Sequence, residues 1–329
     1  MRTFVTGGTG FVGGALVRQL LEAGHEVRAL VRPGTDTQQL QGLPVEQVQG
    51  DLRDPDSLAR GIEGYQLVFH VAALYSFWGY SWDDFYQVNV EGTRRVLEAA
   101  LGAGVERVIY TSSIAVLGFN VDRSPVDENT PSSLEDMITP YKRSKFLAED
   151  VAREYAQRGL PVVIVNPSSP IGVGDHKPTA TGKVVVDYLN GRMFGYVDTG
   201  MNIVDVEDVA TGHLLALEHG QVGERYILGG ENLTLKQVLD LLADVSGLPQ
   251  VRLQIPHSVA LGWSYVDIAL ARLIPNHMPA ATPDAVNQSR RYEFYDISKA
   301  INELGFPRSS ACEALRKSVA WYRAHGYAP

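Results

Sequence analysis

The chain has 329 residues, of which 45% are hydrophobic and 20% charged, and its formal net charge is -9. This length can bury a substantial core, and the composition is that of an ordinary globular protein, which excludes a small disulfide scaffold, a fibrous repeat and a disordered chain. The acidic excess, with no Lys/Arg stripe to offset it, opposes binding to a phosphate backbone, so nucleic acid is not an expected partner.

Short β-branched runs alternate with helical patterns through the first half of the chain. This alternation predicts an α/β fold with a doubly wound parallel sheet of the Rossmann type. The expected strands are 3–6, 26–31, 45–49, 67–71, 107–111 and 161–166, and the expected helices are 12–23, 56–62, 88–103 and 141–157.

The alternation breaks after residue 166, where Pro and Gly become frequent. We therefore expect residues 1–166 to form the Rossmann domain, and a smaller, interleaved C-terminal portion to face the substrate. A strand at 203–206 and a helix at 209–218 are expected to return to the main sheet within 203–222, which leaves 167–202 and 223–329 for the smaller portion. Further elements are predicted at 224–228, at 235–245 after a Thr234 N-cap, and at 312–324.

Cys312 is the only cysteine, so no intramolecular disulfide can form and a reducing cytoplasm is the expected compartment. The first eight residues are unlike a signal peptide. The most apolar stretch, 255–274, contains His257, Asp267 and Arg272, so a transmembrane segment is not expected. Packing of its apolar face against the body is the favoured interpretation and an interfacial membrane helix is the alternative; that face consists of Ile255, Val259, Trp263, Val266, Leu270 and Leu273.

A glycine loop, Thr6-Gly-Gly-Thr-Gly-Phe-Val-Gly13, joins the first predicted strand to the first predicted helix. Glycines at 7, 10 and 13 permit a tight turn and let the backbone approach a pyrophosphate, while the helix N-terminus offers oriented N–H donors. A glycine pattern alone is weak evidence, but its place between a strand and a helix predicts dinucleotide binding by Gly7, Gly10 and Gly13.

The end of the second strand indicates which dinucleotide is bound. A carboxylate there would accept hydrogen bonds from the ribose 2′-hydroxyl of NAD, but this chain carries Arg32, which suits a 2′-phosphate. NADP is the expected cofactor. NAD stays the alternative, because Asp36 could serve it if the strand ended later.

Small and acidic residues follow the third and fourth strands. Asp51, next to Leu52, could approach the adenine amine or simply cap a helix. Ala72 and Ala73 would let a cofactor lie against the backbone, although both could be core residues.

Tyr141 and Lys145 are four residues apart, which places them on one face of a predicted helix. A free tyrosine has a pKa near 10, and a neighbouring ammonium would favour its phenolate, so Lys145 is expected to tune Tyr141 for acid/base chemistry. Ser113 at a strand end would orient a substrate carbonyl, with Ser112 as the alternative. Asn89 could hold a backbone kink or a water, or act as a cap.

In this order along the chain, the glycine loop, Asp51, Asn89, Ser113, Tyr141 and Lys145 resemble the extended short-chain dehydrogenase/reductase superfamily. Three segments look more narrowly like hopanoid-associated sugar epimerases, which are similar to dihydroflavonol 4-reductases: Tyr-Lys-Arg-Ser-Lys-Phe-Leu-Ala-Glu from Tyr141, Asn-Pro-Ser-Ser-Pro-Ile-Gly from Asn166, and 223–234. The resemblance implies that Pro167 and Ser169 lie beside the nicotinamide and that Thr9, Phe11 and Val12 follow the pyrophosphate. It is compatible with a homodimer. Arg32 departs from the acidic residue of many NAD-retaining epimerases.

The favoured hypothesis is a carbonyl reductase in which NADPH supplies hydride, Tyr141 the proton, and Ser113 a bond to the carbonyl oxygen. An epimerase or dehydratase acting on a nucleotide sugar is the alternative, and an NADP sensor without activity is a third. The aromatic-rich loop 74–82 could line the substrate pocket or be buried. No metal site is expected, because no second ligand lies at a metal-binding spacing from His176.

Overall fold

In the computed structural model, which describes residues 1–76, 79–274 and 282–329, a parallel sheet of seven strands forms the centre of the protein. The strand order is β3-β2-β1-β4-β5-β6-β9, which places the reversal of chain progression between β1 and β4. This confirms the predicted doubly wound α/β fold. The strands are β1 (Arg2–Thr6), β2 (Glu26–Val31), β3 (Glu46–Gln49), β4 (Leu67–His70), β5 (Arg107–Thr111), β6 (Val162–Pro167) and β9 (Arg225–Leu228), while β7 (Ser169–Ile171), β8 (Gly200–Asp205) and β10 (Glu231–Thr234) form a second, smaller sheet.

Helices cover both faces of the main sheet. Residues of α1 and α7 share one buried apolar cluster with the sheet, and residues of α2, α4 and α5 share another on the opposite face. The helices are α1 (Phe11–Glu22), α2 (Pro55–Ile62), α3 (Trp82–Phe85), α4 (Gly92–Ala103), α5 (Pro140–Gln157), α6 (Ala180–Leu189), α7 (Val206–His219), α8 (Leu235–Ser246), α9 (His257–Leu273), α10 (Pro283–Gln288) and α11 (Ala311–Ala324).

Side-chain caps set where key helices begin. The hydroxyl of Thr139 accepts a hydrogen bond from the amide of Lys142, and Pro140 occupies the first helical position of α5, where its missing N–H costs nothing. Thr234 and Gln237 form a capping box at the start of α8, as the sequence predicts for Thr234. The start of α5 is therefore fixed directly beside Tyr141.

The helix predicted at 88–103 does not begin as a regular α-helix. A π-helical segment, Tyr86–Glu91, precedes α4 and contains Asn89. Such wide turns commonly occur at functional sites, since the extra residue redirects a side chain.

The strand predicted at 203–206 does not join the main sheet. As β8 it pairs with β7 and β10 in the smaller sheet, whereas the following helix, α7, packs on the main sheet against α1. Conversely, β9 falls in the region assigned to the smaller portion but pairs with β6 at the edge of the main sheet. A short apolar run predicts burial of a strand, but its hydrogen-bond partner depends on pairing across the chain.

The favoured interpretation of 255–274 is wrong. Four of the apolar residues expected to pack inward on α9 are exposed, namely Val259, Trp263, Val266 and Leu273. The buried positions include Ser264 and Asp267. Among the helices of the described ranges, none combines the length and apolarity needed to cross a bilayer.

Candidate active site

The glycine loop makes a turn that side chains would block. Gly7 has φ of +79°, in the left-handed region that favours glycine, and a Cβ there would lie 2.6 Å from the backbone nitrogen of Ala72. A Cβ on Gly13 would lie 2.1 Å from the Gly7 carbonyl oxygen. The loop thus brings bare backbone to the N-terminus of α1, a surface that fits a pyrophosphate.

One cavity of about 870 Å³ opens at the carboxyl ends of the strands and runs from the glycine loop to α5. This is the crevice in which doubly wound sheets hold their ligands. All the predicted site residues line it: Gly7, Thr9, Gly10, Phe11, Val12, Gly13, Arg32, Asp51, Leu52, Ala72, Ala73, Ser113, Tyr141, Lys145, Pro167 and Ser169.

Two arginines mark the end of the cavity beyond β2. Arg32 and Arg53 both line it, and the Arg53 guanidinium donates to both carboxylate oxygens of Asp51 at 2.9 and 3.0 Å. The hydrogen bond from Arg53 lowers the pKa of Asp51, so this carboxylate is held ionised and oriented. Asp51 is not the helix cap, since Asp54 caps α2. Arg53 escaped the sequence analysis because nothing in its local pattern separates it from an exposed loop arginine.

Asp36, the carboxylate that could have served NAD, lies away from this cavity. Its side chain accepts a hydrogen bond from the amide of Gln38 at 3.0 Å and lines a separate surface recess. The Asp36 carboxylate therefore takes part in a local turn outside the cavity.

Burial controls the chemistry of Tyr141. It raises the pKa of the phenol to about 12, and the side chain of Ser113 opposes the shift only in part. The Ser113 hydroxyl also accepts from the Ala115 amide at 3.1 Å, which orients it at the end of β5. The phenol is therefore protonated at neutral pH, contrary to the expected tuning toward phenolate.

Lys145 is buried one helical turn from Tyr141. Its ammonium donates to the Thr111 carbonyl oxygen at 2.8 Å and to the Tyr110 hydroxyl at 3.1 Å. Burial lowers the pKa of Lys145 to about 7, while the carboxylate of Glu149 acts in the opposite direction. The protonation of Lys145 is thus balanced near neutrality.

Glu149 continues the helix face one turn beyond Lys145 and was missed by the sequence analysis. Burial would raise its pKa, but Arg225, at 3.1 Å, and Arg153, at 2.8 Å, outweigh this and lower it. Asn166 connects this carboxylate to the site, because its amide donates to Glu149 and to the Ser113 carbonyl oxygen at 2.9 Å each. The four-residue spacing of Tyr141, Lys145 and Glu149 was the available signal.

Asn89 joins three elements. Its side-chain amide donates to the Leu74 carbonyl oxygen at 3.0 Å and to the Ser144 hydroxyl at 2.8 Å, and its oxygen accepts from the Leu74 amide at 2.7 Å. Ser144 in turn donates to the Tyr141 carbonyl oxygen at 2.8 Å. Asn89 therefore sits in a backbone kink, one of the roles expected for it, and ties the loop after β4 to α5.

The loop after β4 supplies part of the substrate side. Tyr75 packs edge-on against Tyr141 with ring centroids 4.9 Å apart, and Tyr80 also lines the cavity, whereas Trp82 begins α3 outside it. Phe77 and Trp78 of the predicted aromatic loop lie outside the described residues.

A charged pair closes the opposite wall. The Lys142 ammonium lies 3.0 Å from a carboxylate oxygen of Glu293, and both residues line the cavity. The sequence analysis did not find this pair, which joins residues 151 positions apart. His176 packs edge-on against Trp321 instead of lining the cavity, and no cluster of metal-ligating side chains occurs in the part of the chain that the structure describes.

The fold, with its glycine loop and its cavity at the switch point of the sheet, is that of a dinucleotide-binding protein, and the comparisons with known proteins make the chain an oxidoreductase or epimerase. The chain belongs to the NAD dependent epimerase/dehydratase family, whose model matches residues 3–229.

Known proteins similar to this chain include both reductases and epimerases. A dihydroflavonol 4-reductase-like protein of Synechocystis sp. is 46% identical, with 98% of this chain and 95% of that protein covered. The sterol demethylase protein B of Methylococcus capsulatus is 37% identical, with 99% of each covered. A crystal structure of a nucleoside-diphosphate-sugar epimerase from Pseudomonas aeruginosa is 28% identical with a TM-score of 0.83, covering 100% of this chain and 99% of that chain.

Proposed function

We propose that the protein is an NADPH-dependent carbonyl reductase. The observation that carries this proposal is that the Tyr141 phenol and the Ser113 hydroxyl line the same cavity as the glycine loop. A ketone or aldehyde oxygen held by the Ser113 hydroxyl would receive the Tyr141 proton as the carbonyl carbon gains hydride. NADPH, when bound, supplies that hydride.

The chain's own residues fit this cofactor. The bare backbone at Gly7 and Gly13 is open to a pyrophosphate, and Lys145, which lines the same cavity, can donate to the nicotinamide ribose. Arg32 and Arg53 together offer two guanidiniums to a 2′-phosphate, and the alternative carboxylate of Asp36 is engaged in its own loop. These observations favour NADP over NAD.

The substrate end of the cavity favours an apolar carbonyl compound. Tyr75, Tyr80, Val88, Val184 and Met201 line it, and such walls recognise extended hydrocarbon or aromatic groups. The name of the sterol demethylase protein B relative refers to an apolar ring system, which agrees with this wall. A cytoplasmic location and a homodimer remain predictions.

The test of this proposal is the variant Tyr141→Phe. It removes only the phenolic hydroxyl, so we expect the rate of NADPH oxidation by a carbonyl substrate to fall about 100-fold or more, with NADPH affinity nearly unchanged. Tyr65→Phe, which also removes one phenolic hydroxyl but lies outside the cavity, is the matched control and should retain turnover. Undiminished turnover in Tyr141→Phe would refute the assigned role.

A second candidate is an epimerase or dehydratase acting on a nucleotide sugar. The likeness to the nucleoside-diphosphate-sugar epimerase over the whole chain favours it. In that reaction the substrate is oxidised and then reduced again, so the nicotinamide is regenerated. Incubation with nucleotide sugars would then give a product with no net change in nicotinamide absorbance, whereas the reductase consumes one NADPH per alcohol formed.

A further inference from the structure

Helix α9 turns an apolar stripe toward solvent. The exposed fractions are 59% for Val259, 59% for Trp263, 50% for Val266 and 79% for Leu273. These positions are separated by four, three and seven residues, so they follow one face over four turns of the helix. A surface helix normally turns such a face inward, and this one is reversed.

The inward face of α9 is partly polar. Ser264 and Asp267 are 1% and 3% exposed, and the Ser264 hydroxyl donates to the Leu261 carbonyl oxygen at 2.7 Å. Turning the helix over would expose these groups and bury the apolar stripe. In the folded protein these polar groups face the body, and the apolar stripe is part of the surface.

The neighbouring segment extends the stripe. The Tyr196 amide donates to the Leu253 carbonyl oxygen and the Ile255 amide donates to that of Tyr196, which places Tyr196 and the adjacent Gly195 alongside the chain leading into α9. Phe194 is 77% exposed and Leu253 is 57% exposed. We call Phe194, Leu253, Val259, Trp263, Val266 and Leu273 the apolar patch. Exposed apolar side chains grouped on neighbouring segments in this way mark an interaction site.

The exposed charged residues within the two segments that carry the apolar patch are basic, in a chain whose net charge is -9. Within 190–196 and 250–274 the only acidic residue is Asp267, which is buried. Arg192 and Arg252 are exposed, and Arg272 adds a third basic residue to the sequence. Arg192 also lies 3.5 Å from Asp187 on α6, at a distance where an exposed pair contributes little.

We propose that the apolar patch docks the protein on an anionic lipid bilayer, with α9 lying in the plane of the interface. The apolar side chains would enter the region between headgroups and acyl chains, where Trp263 is well suited, and Arg192 and Arg252 would contact anionic headgroups. A second copy of this chain is a less suitable partner for the apolar patch. A two-fold contact uses the same surface on both copies, so it would bring the basic residues of one copy close to the basic residues of the other.

The apolar patch is also connected to the cavity. The His257 ring nitrogen at the start of α9 lies 3.4 Å from the carbonyl oxygen of Ser289, and Ser289 lines the cavity together with Ala285 and Gln288. Docking would therefore hold the substrate side of the cavity near the bilayer, where apolar carbonyl compounds partition. This last step rests on the proposed function, whereas docking itself does not.

Flotation of the full chain with lipid vesicles tests the proposal. Wild-type protein should float with vesicles of phosphatidylcholine and phosphatidylglycerol, and less with phosphatidylcholine alone. The double variant Trp263→Ser/Val266→Ser should bind about tenfold more weakly or worse, because it removes two inserted apolar side chains. The matched control, Val121→Ser/Val222→Ser, alters two exposed valines far from α9 in sequence and should float like the wild type. Thermal unfolding midpoints verify that each variant is folded.

A separate variant tests the proposed contacts between arginines and anionic headgroups. Arg192→Gln/Arg252→Gln should lose the preference for phosphatidylglycerol, and an unchanged preference would overturn the proposed lipid charge. Failure of the wild type to float, or equal flotation of Trp263→Ser/Val266→Ser, would overturn docking. A dimer that this variant converts to a monomer, without flotation of the wild type, would assign the apolar patch to a second copy. Flotation does not depend on turnover, so failed NADPH oxidation beside successful flotation would refute only the proposed reductase.

Discussion

Burial raises the pKa of Tyr141. The sequence suggested that the Lys145 ammonium would draw this phenol toward phenolate, but removal from water has the larger effect and raises the pKa to about 12. A phenol that keeps its proton at neutral pH is suited to donate to a carbonyl oxygen. The phenol can therefore act as the proton donor in the proposed reduction.

Lys145 should give the reductase a pH dependence. Its pKa is lowered to about 7, so the ammonium that would hold the nicotinamide ribose is lost as the pH rises through that value. We expect kcat/KM to fall above about pH 7. Glu149→Gln removes a carboxylate that favours the ammonium, so the descending limb should move to lower pH. Glu154→Gln, a half-exposed change on the same helix, is the control. If the descending limb of the kcat/KM profile lies at the same pH in Glu149→Gln as in the wild type, this role of Glu149 is contradicted.

Arg32 is the residue expected to discriminate between the two cofactors. Arg32→Asp exchanges a guanidinium for a carboxylate, which would repel a 2′-phosphate and accept from a 2′-hydroxyl. NADPH affinity, measured by nicotinamide fluorescence, should weaken about tenfold or more, while NADH affinity holds or rises. Arg60→Asp makes the same charge change on the exposed surface of α2. Equal NADPH affinity in the wild type and in Arg32→Asp would show that another residue recognises the 2′-phosphate.

The strand–loop–helix unit β1–α1 depends on the close approach of the α1 backbone to the glycine loop. Gly13→Ala would place its Cβ 2.1 Å from the Gly7 carbonyl oxygen, so the loop must move. We expect NADPH affinity to fall at least about tenfold. Gly102→Ala, in α4 with no heavy atom within 4 Å of the added carbon, is the matched change and should raise stability by about 0.5–1 kcal/mol. Normal NADPH binding by Gly13→Ala would contradict the proposed loop geometry.

Elements with strong local periodicity were predicted well, and those set by distant contacts were not. The bounds of α5 and α8 agree with the sequence to within a residue because Thr139 and Thr234 cap them. The predicted placement of β8 in the main sheet was wrong, because the residues of β8 do not indicate that it pairs with β7 and β10. The predicted orientation of α9 was also wrong, because an apolar pattern shows which residues share one face of a helix but not whether that face packs on the core.

At the scale of the whole molecule, one cavity collects residues from many separate segments of the chain. The residues that the sequence identified come from short motifs next to strand ends, where the doubly wound topology places ligands. Arg53, Glu149 and the pair of Lys142 with Glu293 were missed, because each acquires its significance from partners brought close by folding. Local chemistry can be predicted from spacing, whereas the surrounding electrostatics require the tertiary structure.

If this chain reduces carbonyl compounds with NADPH, its affinity for NADPH and NADH should reveal this first, in a titration of the purified protein followed by nicotinamide fluorescence. A chase with aldehydes, ketones and nucleotide sugars would follow on the same samples. We predict tight, releasable NADPH, weaker NADH, and oxidation of one NADPH per carbonyl group reduced. Tightly retained NAD, with a nucleotide sugar converted and no net oxidation, would refute the proposed reductase and establish the epimerase alternative.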